Sequence, residues 1–134
     1  MRISEVMTAN PVAVDCKDSL QQAARLMSEN DCGSLPVLEN GHICGVITDR
    51  DIAVRAVAAG TSPERALDCA MTREVVTIES DADTDEASRM MADNQLRRLY
   101  VVEDDSLIGV VALADLANQA SEEQAAQALE GISQ

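Results

Sequence analysis

Aromatic side chains are almost missing from this 134-residue chain: there is no Trp, no Phe, and one Tyr, Tyr100. Its interior must therefore be built from Val, Ile, Leu, Ala and Met. A hydrophobic content of 46% is enough for one domain, or for two half-domains sharing a core. Basic residues are scarce too. Ten Lys and Arg stand against 24 Asp and Glu, for a net charge of −14, which argues against nucleic acid as a partner, since phosphate backbones are held by clustered cations. No apolar run approaches the roughly 18 residues needed to cross a bilayer. The start, Met1-Arg2-Ile3-Ser4-Glu5, lacks the basic-then-apolar pattern of a secretory signal, so a cytoplasmic protein without membrane contact is expected. The one histidine, His42, lies beside Asn40-Gly41 in an evident turn. No Ser–His or Cys–His pair and no glycine-rich phosphate loop is present, so no catalytic residue is assigned and an enzyme is not expected. Four cysteines, at 16, 32, 44 and 69, show no C-x-x-C spacing. Neither a zinc site nor a thioredoxin-type centre is expected from them.

What the chain does have is a repeat at a fixed offset. Met7-Thr8 returns as Met71-Thr72, and 71 − 7 = 64. The same shift carries Val12 to Val76, Ala23 to Ala87, Met27 to Met91, Leu35-x-Val37 to Leu99-x-Val101, Gly45-Val46 to Gly109-Val110, and Asp51 to Asp115. Two copies of a small unit bury together an apolar face that each leaves open alone. Each copy reads in the same order: an opening segment (Ile3 to Met7), an extended stretch (Pro11 to Val14), and a helix capped by Asp18-Ser19 with apolar positions Leu20, Ala23, Ala24, Leu26 and Met27. A strand (Leu35 to Leu38), a turn (Glu39-Asn40-Gly41), a second strand (Ile43 to Thr48) and a helix from about Arg50 to Ala59, stopped by Gly60, complete it. The predicted fold class is α+β (α/β sandwich-like): two pseudo-two-fold related β-α-β-β-α repeats, each a small sheet backed by helices. Residues 1–64 form the first repeat with its opening segment and connector, 65–120 the second, and 121–134 an acidic C-terminal tail. Whether that tail is a terminal helix or a frayed end is left open.

The chemistry-bearing stretch is Gly45-Val46-Ile47-Thr48-Asp49-Arg50-Asp51. Gly45 permits close approach of backbone or ligand. Thr48 ends the strand, and Asp51 falls in the first turn of the next helix, so hydroxyl and carboxylate can face one spot. A carboxylate beside a hydroxyl is a receptor for a vicinal diol such as ribose; equally, the two residues are a helix cap. The second copy keeps Asp115 but has Ala112 in place of the threonine. It also has Leu96-Arg97-Arg98 before its strand where the first has Cys32-Gly33-Ser34. Those two arginines are either surface charge or a forked receptor for phosphate.

These repeated motifs resemble a tandem pair of CBS domains (cystathionine-β-synthase domains), a Bateman module of the stand-alone bacterial type, over about residues 3 to 118. The resemblance implies a pair of clefts for adenosine-containing ligands: AMP, ADP, ATP or S-adenosylmethionine, a regulatory ligand and not a required cofactor. Carried over residue by residue, the first cleft combines Thr48, Arg50 and Asp51 with Val75, Val76, Leu96, Arg97 and Arg98. The second, weaker cleft combines Asp115 with Pro11, Val12, Cys32, Gly33, Ser34 and Pro36. Tyr100 stands where the family often has proline, leaving open whether it stacks on adenine or packs. The implied function is a non-enzymatic regulatory module that signals to an unknown regulated protein by a conformational shift. The implied assembly is a homodimeric disc, with Arg55 or Ala53 to Ala59 at its seam. The alternatives are an interaction scaffold with vestigial pockets, or a thiol-based redox sensor in which Cys32 is the thiol to watch.

Overall fold

The 64-residue offset reappears in the backbone, with one exchange that the repeat does not announce. In a computed structural model of the chain, residues 1–119 are described; the tail placed at 121–134 lies outside the described residues. Backbone contacts divide the chain into two units that do not follow the two sequence repeats. The first unit is Val12–Val76 with Asp105–Leu107; the second is Met1–Pro11 and Thr77–Asp104 together with residues 108–119.

The first unit holds strand β2 (Val14–Asp15), helix α2 (Leu20–Glu29), strands β3 (Ser34–Glu39) and β4 (His42–Thr48), and helix α3 (Asp49–Asp51). β2 runs parallel to β3 through Val14↔Val37, and β3 pairs antiparallel with β4 from Ser34↔Thr48 to Glu39↔His42. The tight hairpin between β3 and β4 works because Asn40 and Gly41 both take positive φ, 53° and 82°, the backbone that a two-residue turn demands. Helix α2 starts where expected: the Ser19 hydroxyl accepts from the Gln22 amide at 3.0 Å. It buries Leu20, Ala23 and Met27, spaced three and four apart, in a core with Val14, Leu35, Val37, Ile47, Ala56 and Leu67.

Two expectations are adjusted. The extended stretch at Pro11–Val14 gives only Val14 to a strand, because ladder pairing begins where Val14 meets Val37, and Pro11 has no N–H to contribute. The helix expected from Arg50 begins at Asp49 and widens at once into a π-helical stretch, Ile52–Val57. There the amides of Ala58 and Thr61 donate five residues back, to Ala53 and Ala56, at 3.0 and 2.9 Å. Gly60, with φ of +74°, lies just beyond it.

The second unit repeats the plan with α1 (Ile3–Val6), β1 (Thr8–Ala9), β5 (Thr77–Glu79), α4 (Thr84–Asn94), β6 (Arg98–Glu103), β7 (Ser106–Ala112) and a helix over 113–119. β5 is parallel to β6 through Ile78↔Val101. Ile3, Ala87, Met91, Leu99, Val101 and Val111 are fully or almost fully buried, and Tyr100 is buried on β6, so its ring packs.

The exchange concerns the opening segments. Met7-Thr8 does not pair with the strand of its own repeat: Thr8 pairs with Val110 and Ala9 with Gly109, on β7. Met71-Thr72 likewise pairs with Val46 of β4, giving and taking backbone bonds at 2.8 and 2.9 Å. This accounts for both glycines at matched positions. A Cβ on Gly45 would meet the Thr72 carbonyl oxygen at 2.6 Å, and one on Gly109 would meet the Thr8 carbonyl at 3.0 Å and the Met7 sulfur. The close approach that Gly45 permits is thus that of a backbone.

Candidate functional site

Thr48 and Asp51 are brought together by a reciprocal cap at the entry to α3. The Thr48 hydroxyl accepts from the Asp51 amide at 3.0 Å, and the Thr48 amide donates to Asp51 Oδ2 at 3.1 Å. The helix-cap reading is therefore realised in full, yet it does not exhaust either group. The Thr48 hydroxyl has spent an acceptor site and retains its proton as a donor, and Asp51 retains the lone pairs of Oδ1. The Asp51 side chain is only 13% exposed; Arg55 Nε lies 3.7 Å from Oδ1. A diol presented here meets one donor and one carboxylate oxygen side by side.

The second repeat keeps only half of this. The Ala112 amide donates to Asp115 Oδ2 at 3.1 Å, matching the first copy, but no hydroxyl closes the box. The presence of Asp115 is thus explained by the cap, and within the cap the residue that distinguishes the copies is Thr48.

The other candidates divide between the units. Arg50 is exposed beside the cap, its amide donating to Asp49 Oδ1 at 2.8 Å. Val75 and Val76 are half-buried in the extended stretch before β5. Leu96, Arg97 and Arg98 belong to the second unit, all exposed at the entry to β6, and the Leu113 amide donates to the Arg97 carbonyl at 2.8 Å. The matching bond in the first unit runs from the Asp49 amide to the Gly33 carbonyl at 2.9 Å. Gly33 therefore sits against the Asp49 carboxylate, where a Cβ would approach Oδ2 to 3.0 Å. Of the second candidate set, Cys32 and Ser34 are half-buried beside Gly33, Pro36 is buried within β3, and Val12 is exposed, all in the first unit; Pro11 and Asp115 lie in the second. Each unit thus joins its own pre-strand loop to its own helix entry: Cys32-Gly33-Ser34 to Thr48–Asp51, and Leu96-Arg97-Arg98 to Ala112–Asp115.

Burial pushes the Cys16 and Cys44 thiols up from their ordinary range, with neighbouring Asp15 adding to the shift at Cys16. Cys16 joins the apolar core of the first unit, and Cys44 and Cys32 pack against it. Among the described residues no group of three or more His, Cys, Asp or Glu side chains is placed to hold a metal ion, and no helix is long and apolar enough to cross a membrane. An apolar groove of about 540 Å³ does exist in the first unit, lined by Leu20, Ala24, Ile52, Ala56, Val57 and Pro63 among others, none of them a candidate ligand residue. Arg55, which the resemblance puts at an assembly seam, also reaches the cap: its Nε lies 3.7 Å from Asp51 Oδ1 and its Nη1 donates to the Met71 carbonyl at 3.4 Å, contacts the sequence reading did not name. Its spacing of four residues from Asp51 was the available signal.

Comparison with known proteins agrees with this architecture. The CBS domain model matches residues 3–58 and 65–122. The CBS domain-containing protein YhcV of Bacillus subtilis (strain 168) is 39% identical over 132 residues, covering 98% of this chain and 94% of that protein. The crystal structure of Hypoxic Response Protein I with two coordinated zinc ions is similar with a TM-score of 0.79 and 29% identity, over 89% of this chain and 98% of that one. The structure of CBSX2 in complex with AMP shares the fold, at a TM-score of 0.78 and 21% identity over 92% and 98% of the two chains. With a doubled family match, two repeats of one plan and a 39% identical relative matched over 94% of its length, the chain belongs to the CBS domain family and carries two copies of the domain.

Proposed function

We propose that this CBS pair is a non-enzymatic regulatory module that takes an adenosine-containing ligand of the AMP, ADP or ATP class and grips its ribose with Thr48 and Asp51. The observation that carries the reading is the free donor of the Thr48 hydroxyl beside Asp51 Oδ1, on a cap held rigid by two reciprocal bonds. Only the first repeat has both members. AMP in the CBSX2 structure supports the ligand class. In this reading Arg97, Arg98 and Arg50 serve the phosphate, and Val75, Val76 and Leu96 the base; the ligand acts by favouring one conformation over another, which a partner protein reads. A micromolar dissociation constant, about −8 kcal/mol, is within reach of one ribose grip, one enclosed base and a few arginine–phosphate contacts.

A second reading, an assembly scaffold, draws on the π-helical face, where Val54 and Val57 are 57% and 68% exposed beside the apolar groove. A homodimer formed there is compatible with either role. Isothermal titration with AMP, ATP, S-adenosylmethionine and adenosine decides between them. Asp51→Asn, which keeps a cap acceptor but not the charge, should abolish binding. Arg97→Ala with Arg98→Ala should weaken AMP far more than adenosine. Silence of the wild type toward all four ligands would leave the scaffold.

A further inference from the structure

We propose that Arg55 is a positioning residue that couples occupancy of the Thr48–Asp51 grip to the opening segment of the second repeat, an inference that rests on the proposed function of that grip. Arg55 sits one turn beyond Asp51 in the π-helical stretch and touches two things with one guanidinium. Its Nε lies 3.7 Å from Asp51 Oδ1, and its Nη1 donates to the Met71 carbonyl at 3.4 Å. The next residue, Thr72, exchanges both backbone bonds with Val46, two residues before Thr48 on the same strand. Carboxylate, guanidinium, opening segment and strand therefore form a closed circuit that begins and ends at the grip.

The distances decide what Arg55 does in it. At 3.7 Å the Nε is beyond hydrogen-bond length, so the cation orients the Asp51 carboxylate without filling the Oδ1 lone pairs that a sugar hydroxyl would use. The guanidinium is a rigid plane, so a shift of its Nε edge moves the Nη1 edge with it. A ligand hydroxyl that donates to Oδ1 offsets part of the carboxylate charge that holds the guanidinium, and the guanidinium answers at the Met71 carbonyl. Arg55 is 53% exposed along its side chain and has room to move, whereas Asp51 at 13% does not. The matched position in the second repeat is Gln119, since 119 − 64 = 55, and an amide brings no charge to Asp115. The copy without the hydroxyl also has no cation at the matching position, whereas Arg55 brings one to both of its contacts in the first unit.

The test is amide hydrogen exchange at Val46 and Thr72, with and without AMP, in wild type, Arg55→Gln and Arg55→Lys, with affinities measured in parallel. The chain itself carries Gln at the matching position, so Arg55→Gln is compatible with the fold. In wild type AMP should change exchange at both amides. In Arg55→Gln, AMP should bind about fivefold more weakly, and the exchange change should disappear. Arg55→Lys should behave likewise, since one ammonium cannot span Asp51 and Met71 together. If Arg55→Gln binds AMP and shows the full wild-type exchange change while Asp51→Asn has lost binding, the coupling role is overturned and the grip stands. If wild type does not bind AMP, or Asp51→Asn binds it as well as wild type, the reading of the grip fails and the coupling with it.

Discussion

Exchanging the residue types at Thr48 and Ala112 separates the cap from the grip. The Thr48 hydroxyl takes the Asp51 amide at 3.0 Å, a bond absent at Ala112, while the opposing carboxylate arm is the same length in both copies, 3.1 Å. Loss of an N-cap hydroxyl costs about 1 kcal/mol of folding stability. Thr48→Ala should therefore destabilise by about that amount, and Ala112→Thr should stabilise by up to as much, because its partner amide is already in place. Urea denaturation with an unchanged slope reads both. The grip adds a separate consequence in binding: if the same hydroxyl donates to a ribose oxygen, Thr48→Ala also weakens AMP about tenfold, near 1.4 kcal/mol. A stability loss with AMP affinity intact would reduce Thr48 to a cap and refute the ribose assignment. No stability loss at all would refute the cap geometry itself.

Two further outcomes test the architecture around the site. Gly45→Ala places a Cβ against the Thr72 carbonyl, a backbone atom that cannot swing aside. It should break the two Val46–Thr72 bonds and cost about 2 kcal/mol, with loss of exchange protection at Thr72; a variant as stable as wild type would contradict the exchanged pairing. Gln95 ends α4 in the left-handed region at φ of 55°, where glycine is at ease and a side chain is not. Gln95→Gly should raise Tm by roughly 4 °C, and no rise in a thermal melt would show that its side chain repays the strain.

Much of this was legible because local chemistry decided it. Ser19 caps α2 through its own hydroxyl, and Asn40-Gly41 turn the chain because they tolerate positive φ. Thr48 and Asp51 meet because three residues separate them across a strand–helix junction. The exchange of opening segments was not legible, and the repeat itself is the reason. Thr8 matches Thr72 and Val46 matches Val110, so the pattern is satisfied equally by pairing within a repeat or across repeats. Chain length does not settle it: pairing within each copy would span 46 − 8 = 38 residues, whereas the observed pairs span 72 − 46 = 26 and 110 − 8 = 102. What carries the choice is packing remote in sequence. The Ile3 amide donates to the Ala82 carbonyl and the Leu67 amide to the Asp18 carbonyl, at 2.9 and 2.8 Å, and both side chains are fully buried. The consequence reaches the site: because Met71-Thr72 lies on β4, its carbonyl is within reach of Arg55, and a cation four residues past Asp51 becomes a bridge that the spacing alone could not disclose.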